Sequence, residues 1–154
     1  MREFNLLGAY PRPEKPRYVG SNLRTINHLK KRFDYCFKKI GVYPPIVKGN
    51  IINKKFSIGQ SNEKINFNSF LAKHGEVKTT VYIFNKTAYL SDCNDMNIVK
   101  RKELKNLNYL IIDCLKIDKT SAHFNLDQSL SVHESLKPKK TFLTNLHCDL
   151  DYDF

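Results

Sequence analysis

The chain has 154 residues, of which 41% are hydrophobic, with ten Phe and eight Tyr. That suits one domain with a modest core and excludes a wholly disordered chain. The formal net charge of +11 favours anionic partners, phosphate esters or nucleic acid among them. Clusters such as Lys30-Lys31-Arg32, Lys38-Lys39 and Lys137 to Lys140 read more simply as solvated faces. No run approaches the ~20 apolar residues of a membrane span. The charged start is followed by only a few apolar residues before Tyr10 and Pro11, which is not a signal-peptide pattern. A soluble cytoplasmic protein without a membrane partner is expected.

In chain order, residues 1–20 read as irregular, because Pro11, Pro13 and Pro16 each remove a backbone donor. From Ser21 to about Lys39, Leu23, Ile26, Leu29, Phe33, Cys36, Phe37 and Ile40 recur at spacings of three and four, which predicts an amphipathic helix. Gly41 ends it and Pro44-Pro45 forbid its continuation. Residues 46–91 read as β-rich. Ile46-Val47, Ile51-Ile52 and Phe56 to Ile58 are short runs, and Ile65, Phe67 and Phe70 suggest a further strand. Val77 to Phe84 and Ala88 to Leu90 flank Asn85-Lys86, a two-residue hairpin connection. Asn97 to Asn106 reads as a short helix and Tyr109 to Ile112 as a central strand. Asn125 with Gln128 three residues on makes a capping box for a helix to Leu136, with Leu126, Leu130, His133 and Leu136 on one face. Lys140 to Thr144 forms a last strand. The terminal run Asp149 to Phe154 reads either as a natural strand or turn or as a truncation. The pattern as a whole is α/β.

The chemistry concentrates where strands stop. Tyr89-Leu90-Ser91 ends in Asp92, Tyr109 to Ile112 ends in Asp113, and Phe142-Leu143-Thr144 ends in Asn145-Leu146-His147. The carboxyl ends of strands are where α/β sheets assemble sites, and buried carboxylates are costly unless paired or metal-bound. Singly, each reads as an ordinary turn residue; together they suggest one shared rim. His74 precedes Gly75, and glycine lets backbone approach closely, which suits a ligand on a tight loop as well as an exposed turn. His123 lies just before the Asn125 cap, where it could hold or protonate an anionic oxygen. His133 reads as packed and His28 as a surface or half-buried residue. Cys36, Cys93, Cys114 and Cys148 form no CxxC pair and read as reduced thiols.

Five segments, in this order and spacing, resemble the metallo-β-lactamase superfamily. They are Lys73-His74-Gly75, Ala88-Tyr89-Leu90-Ser91-Asp92, Leu110-Ile111-Ile112-Asp113-Cys114, Ala122-His123-Phe124-Asn125-Leu126 and Thr144 to Tyr152. The branch they look most like is the phosphoribosyl cyclic-phosphate phosphodiesterases of the carbon–phosphorus lyase pathway; tRNA 3′-processing endonucleases are more distant. The resemblance implies an αββα sandwich with two divalent metals, zinc or manganese, at one edge, and a phosphate-ester substrate. It implies that His74, Asp92 and His147 are metal ligands, with Asp92 bridging both ions. It further implies that His123 contacts the substrate phosphate and acts as general acid, while Asp113 orients the ligands.

Two departures go with it. Many relatives carry histidine where this chain has Asn145. The family's His-x-His-x-Asp-His signature is absent from the 154 residues. The chain therefore reads as a single incomplete domain, residues 1–154, and resembles a fragment lacking both ends. It is expected to bind at most one metal weakly and to have little activity alone. Its rivals are a non-catalytic half completed by another chain carrying His-x-His-x-Asp-His, and a basic nucleic-acid-binding module supported by charge alone.

Overall fold

The computed structural model describes residues 16–59, 61–148 and 150, which fall in two compact units divided between Asn53 and Lys54. The expectations for residues 1–15, and those for the terminal run apart from Leu150, lie outside the described residues.

The first unit is built on strand β1 (Arg17–Ser21), helix α1 (Leu23–Arg32), the short helix α2 (Asp34–Phe37) and strand β2 (Val47–Ile51). β1 falls partly within the segment expected to be irregular, because it is stabilised by parallel pairing with β2, Tyr18 opposite Lys48, and local sequence does not encode a distant partner. Asn22 caps α1 by accepting the Thr25 N–H at 3.0 Å. The predicted 21–39 helix is two helices instead. Phe33 leaves helical geometry at φ −126° and ψ 42°, and the Ile46 N–H bonds to the Cys36 carbonyl at 3.0 Å, tying α2 to the approach to β2. Gly41, at φ +58°, turns the chain between Ile40 and Tyr43. The runs at 46–47 and 51–52 mark the two ends of one strand, β2, with Ile46 and Ile52 just outside it. Gly49 on β2 is small for a reason: a Cβ there would meet the buried Ile26 side chain at 3.1 Å.

The second unit is a six-stranded mixed sheet in sequence order. Its strands are β3 (Lys55–Ile58), β4 (Ile65–His74), β5 (Val77–Phe84), β6 (Thr87–Leu90), β7 (Tyr109–Asp113) and β8 (Lys140–Thr144). β3 to β6 pair antiparallel; β6, β7 and β8 pair parallel. The Asn85-Lys86 hairpin is as expected, both residues at positive φ, 46° and 59°. One sheet face is buried, with Phe70, Ala72, Val81, Ala88, Leu90, Leu110 and Ile112 in a cluster that Ile98, Leu104, Phe124 and Val132 complete.

Helix α3 (Leu126–Leu136) starts with the predicted capping box, Asn125 and Gln128 exchanging bonds of 3.1 Å. Its buried face matches the predicted one only in part, Leu136 packing against the core. Ser129 and Val132 are buried and Leu130 is exposed. The small Ser129 hydroxyl can sit under the sheet because it donates to the carbonyls of Asp113 (2.7 Å) and Asn125 (3.0 Å). His133 is half-buried against the Thr141 hydroxyl, 2.8 Å away. Residues 97–106 are two 3-10 turns, Met96–Lys100 and Lys102–Leu104, in place of a helix. Between them Arg101 lies 4.0 Å from the Phe70 ring, and Ile98 and Leu104 are buried, so tertiary packing sets that geometry. The α/β expectation stands. Among the described residues no helix is long and apolar enough to cross a membrane, and none of the four cysteines is in a disulfide.

Candidate metal centre

Parallel pairing of β6, β7 and β8 sends their carboxyl ends to one rim. The register sets Leu90 level with Ile112 and Ile112 level with Leu143. Asp92, Asp113 and Asn145 therefore follow within two residues of a common line. β4 runs in the same direction, being antiparallel to β5, which is antiparallel to β6. Its last residue, His74, thus reaches the same rim. Asp92 and Asn145 leave their strands at φ 53° and 63°, left-handed values that Asp and Asn tolerate better than most residues. Gly75 does the same at φ +58°, and a Cβ on it would come within 3.2 Å of the Ala122 Cβ. The close approach expected at this glycine is present.

A net of hydrogen bonds holds the loop carrying His123 over the rim. Asn94 accepts the Gly75 N–H (3.1 Å) and donates to the Ser121 carbonyl (2.8 Å). The Thr120 hydroxyl accepts the His123 N–H at 3.0 Å and donates to its carbonyl at 2.8 Å. Phe124, fully buried, donates its N–H to the Cys93 carbonyl at 2.8 Å.

The two histidines are oriented in the same manner. His74 Nδ1 lies 2.9 Å from the Ala122 carbonyl oxygen, which can only accept, so Nδ1 carries hydrogen and Nε2 is the acceptor of the neutral ring. His123 Nδ1 lies 2.8 Å from Asp113 Oδ2, with the same consequence. Histidines that ligate metals are commonly held this way, by a carbonyl or carboxylate on the far nitrogen. The rings meet edge to face with centroids 4.6 Å apart. His123 Nδ1 is also 3.9 Å from Asp92 Oδ1.

Asp113 is the buried hub. Its side chain has no exposure, while that of Asp92 is 54% exposed. Burial of a carboxylate is tolerable when its lone pairs are used. Here they accept from the Cys93 N–H (2.8 Å), His123 Nδ1 (2.8 Å) and Asn145 Nδ2 (2.9 Å). Beside it, burial pushes the Cys93 thiol up to about 11 and raises that of Cys114 as well. Both are protonated at neutral pH, unlike reactive thiols.

His74, Asp92 and His123 each offer a ligand atom, all within 4.8 Å of one another. Two imidazole nitrogens and a carboxylate suit a divalent ion such as zinc or manganese, and three protein ligands leave a position open. Of the five residues singled out in the sequence, four share the rim. His147 lies outside the three-residue group. Its N–H bonds the Leu115 carbonyl at 2.8 Å and its Nδ1 lies 3.6 Å from Cys148 Sγ. The set His74, Asp92, His147 is thus gathered in two members, and His123 stands at the third corner. Asn145, read in the sequence as a departure from its relatives, instead faces the carboxylates: its Nδ2 is 3.2 Å from Asp92 Oδ1. Asn145 and Asn94 join the site beyond the residues expected from sequence; the signal for Asn145 is its position, one residue past an apolar run, as Asp113 and Asp92 follow theirs.

An α/β sheet with a His-Asp-His cluster at the carboxyl ends of its strands defines a candidate metal centre. The chain belongs to the beta-lactamase superfamily, whose domain profile matches residues 7–145. Among solved structures, a diphosphatase from the PhnP family is 27% identical with a TM-score of 0.71, over 88% of this chain and 49% of that one. The short form of human tRNase Z (11% identity, TM-score 0.59, 88% of this chain and 62% of that) and the metallo-β-lactamase fold protein YhfI from Bacillus subtilis (12%, 0.59, 92% and 57%) share the fold. The chain spans about half to three fifths of the length of these structures. None of the curated proteins compared matches it.

Proposed function

We propose that this chain is an incomplete metallo-β-lactamase domain of a metal-dependent phosphodiester hydrolase, close to the phosphoribosyl cyclic-phosphate phosphodiesterase branch. The observation that carries the reading is the convergence of His74, Asp92 and His123 within 4.8 Å, with Asp113 behind His123. The 27% identity to a PhnP-family diphosphatase supports a phosphate-containing substrate, as does the net charge of +11.

His74 and Asp92 would hold a divalent ion, which when bound supplies Lewis-acid polarisation of a phosphoryl oxygen. The chain's own residues do the rest. Asp113 fixes the His123 ring through Nδ1; in the doubly protonated ring Nε2 also carries a hydrogen, which it would pass to the departing oxygen. A second reading has an observation of its own: His123 belongs to the three-residue cluster, so it could itself be the third ligand. The role of His147 as a further ligand stays within the proposal as an assignment to be tested. The resemblance implies a two-metal site completed by His-x-His-x-Asp-His, which the 154 residues do not contain. A segment carrying that motif, outside these 154 residues, is what this reading calls for.

Metal content by mass spectrometry and turnover of bis(p-nitrophenyl) phosphate test it together. The isolated chain should take up at most one zinc or manganese ion, lose it in His74→Ala and Asp92→Ala, and turn over poorly. Absence of any uptake sinks the centre. Two tightly held ions with robust turnover sink the incomplete-site reading. His123→Ala that keeps the metal but abolishes residual turnover identifies the proton donor; loss of the metal identifies a ligand. His147→Ala is read in the same way.

A further inference from the structure

Asn145 faces more acceptors than it has hydrogens to give. Its Nδ2 lies 2.9 Å from Asp113 Oδ1, 3.2 Å from Asp92 Oδ1 and 3.2 Å from Ser91 Oγ. The amide orientation is chemically forced, because carboxylate oxygens opposite it can only accept. Two hydrogens serve three oxygens. The bond to Asp113 is the shortest, and Asp113 is buried, where an unmet carboxylate oxygen is costly. One hydrogen is therefore committed to Asp113, and the second is shared between Asp92 and Ser91. The Ser91 hydroxyl also lies 3.4 Å from Asn145 Oδ1, so serine and asparagine face each other with both partners adjustable.

We propose that Asn145 is a positioning residue that holds Asp92 and Asp113 together when no cation is present and releases Asp92 to a bound cation by passing its second hydrogen to Ser91. This rests on the metal-site reading above. An amide donor satisfies the exposed Asp92 carboxylate in the metal-free protein without blocking it, since the bond at 3.2 Å is the longer of the two to carboxylate. When a cation takes that oxygen, the hydrogen already has a second acceptor at the same distance. The bond to Asp113 persists in both states and keeps Asp113 oriented toward His123 Nδ1. The same side chain thereby links the ligand carboxylate to the histidine beside it. Asn145 differs in this role from a ligand: it acts on Asp92 and His123 through hydrogen bonds.

The experiment pairs the melting temperature of the metal-free protein with a zinc and manganese titration by calorimetry, on the full chain. Asn145→Ala should melt several degrees lower without metal and bind it about tenfold more weakly, the usual scale for losing a partner behind the ligands. Ser91→Ala should melt as the unaltered chain does without metal, because Asp92 still accepts the second hydrogen, yet bind metal more weakly. Ser91→Thr, which keeps the hydroxyl, should restore binding. That split separates hand-over from a merely structural role, which would move melting and binding together. Asn145→Asp should melt lowest without metal, because three carboxylates then crowd one rim, and should gain more degrees on metal addition than the unaltered chain. Unchanged metal affinity in Ser91→Ala and Asn145→Ala, with the unaltered chain binding normally, overturns this proposal alone. Failure of the unaltered chain to bind metal overturns it together with the metal-site reading.

Discussion

The two halves of the six-stranded sheet are made from similar apolar residues but finish differently. In the parallel half, β6, β7 and β8 all end at one rim, and each end delivers a polar residue there: Asp92, Asp113 and Asn145. In the antiparallel half, alternate strands point away, and only β4 brings a functional side chain, His74, to that rim. Its other signature is aromatic packing on the sheet surface, Phe56 stacked on Phe67 at 5.0 Å and Phe67 tilted against Phe84 at 5.0 Å. Strand direction, more than strand composition, decides which half gathers chemistry.

Breaking the core of the parallel half should cost most. Leu110 is fully buried on β7 whereas Leu71, on the open face of β4, is 46% exposed. Leu110→Ala should lower the free energy of unfolding by about 2–5 kcal/mol, and Leu71→Ala by less than about 0.5 kcal/mol, as measured by urea denaturation. Equal losses would show that the two halves share one evenly weighted core. At the junction of the halves, Gly75→Ala combines a left-handed φ with a Cβ contact at 3.2 Å to Ala122. A loss of about 1–2 kcal/mol is expected, together with displacement of the His74 ring visible in its imidazole NMR signals. A smaller effect is expected where α3 joins the parallel half: Asn125→Ala removes the capping box and should cost about 1 kcal/mol in the same denaturation assay. The smallest concerns pH. The folded state holds the Cys93 proton up to about 11, above the thiol's ordinary value. The unfolded chain releases it earlier, so this contribution is whole below that ordinary value and lost as pH rises toward 11. Melting temperature should fall more steeply over that interval in the unaltered chain than in Cys93→Ala.

Much of this was readable in the sequence because local rules dominate where they applied. Asn125 with Gln128 reads as a capped helix start, Asn85-Lys86 as a tight hairpin, and Tyr109 to Ile112 as a central strand, and each is found. His74, Asp92, Asp113 and His123 were identifiable as candidates, since each sits beside a glycine, a strand end or a helix cap. What failed were patterns whose meaning depends on a partner. Leu126, Leu130, His133 and Leu136 made a plausible apolar face, but α3 buries Ser129 because the Asp113 carbonyl waits beneath it. Residues 97–106 read as one helix, but they form two 3-10 turns that bury Ile98 and Leu104.

The sequence by itself determined the α/β class, most strand positions and the inventory of histidines and carboxylates, because periodicity, turn chemistry and residue type are local properties. Only the tertiary structure decided that β1 pairs with β2, that His123 comes within 4.8 Å of His74 and Asp92, and that Asn145 bridges Asp92 and Asp113. Distances between residues far apart in the chain follow from strand direction and register, which are fixed when whole elements pack together.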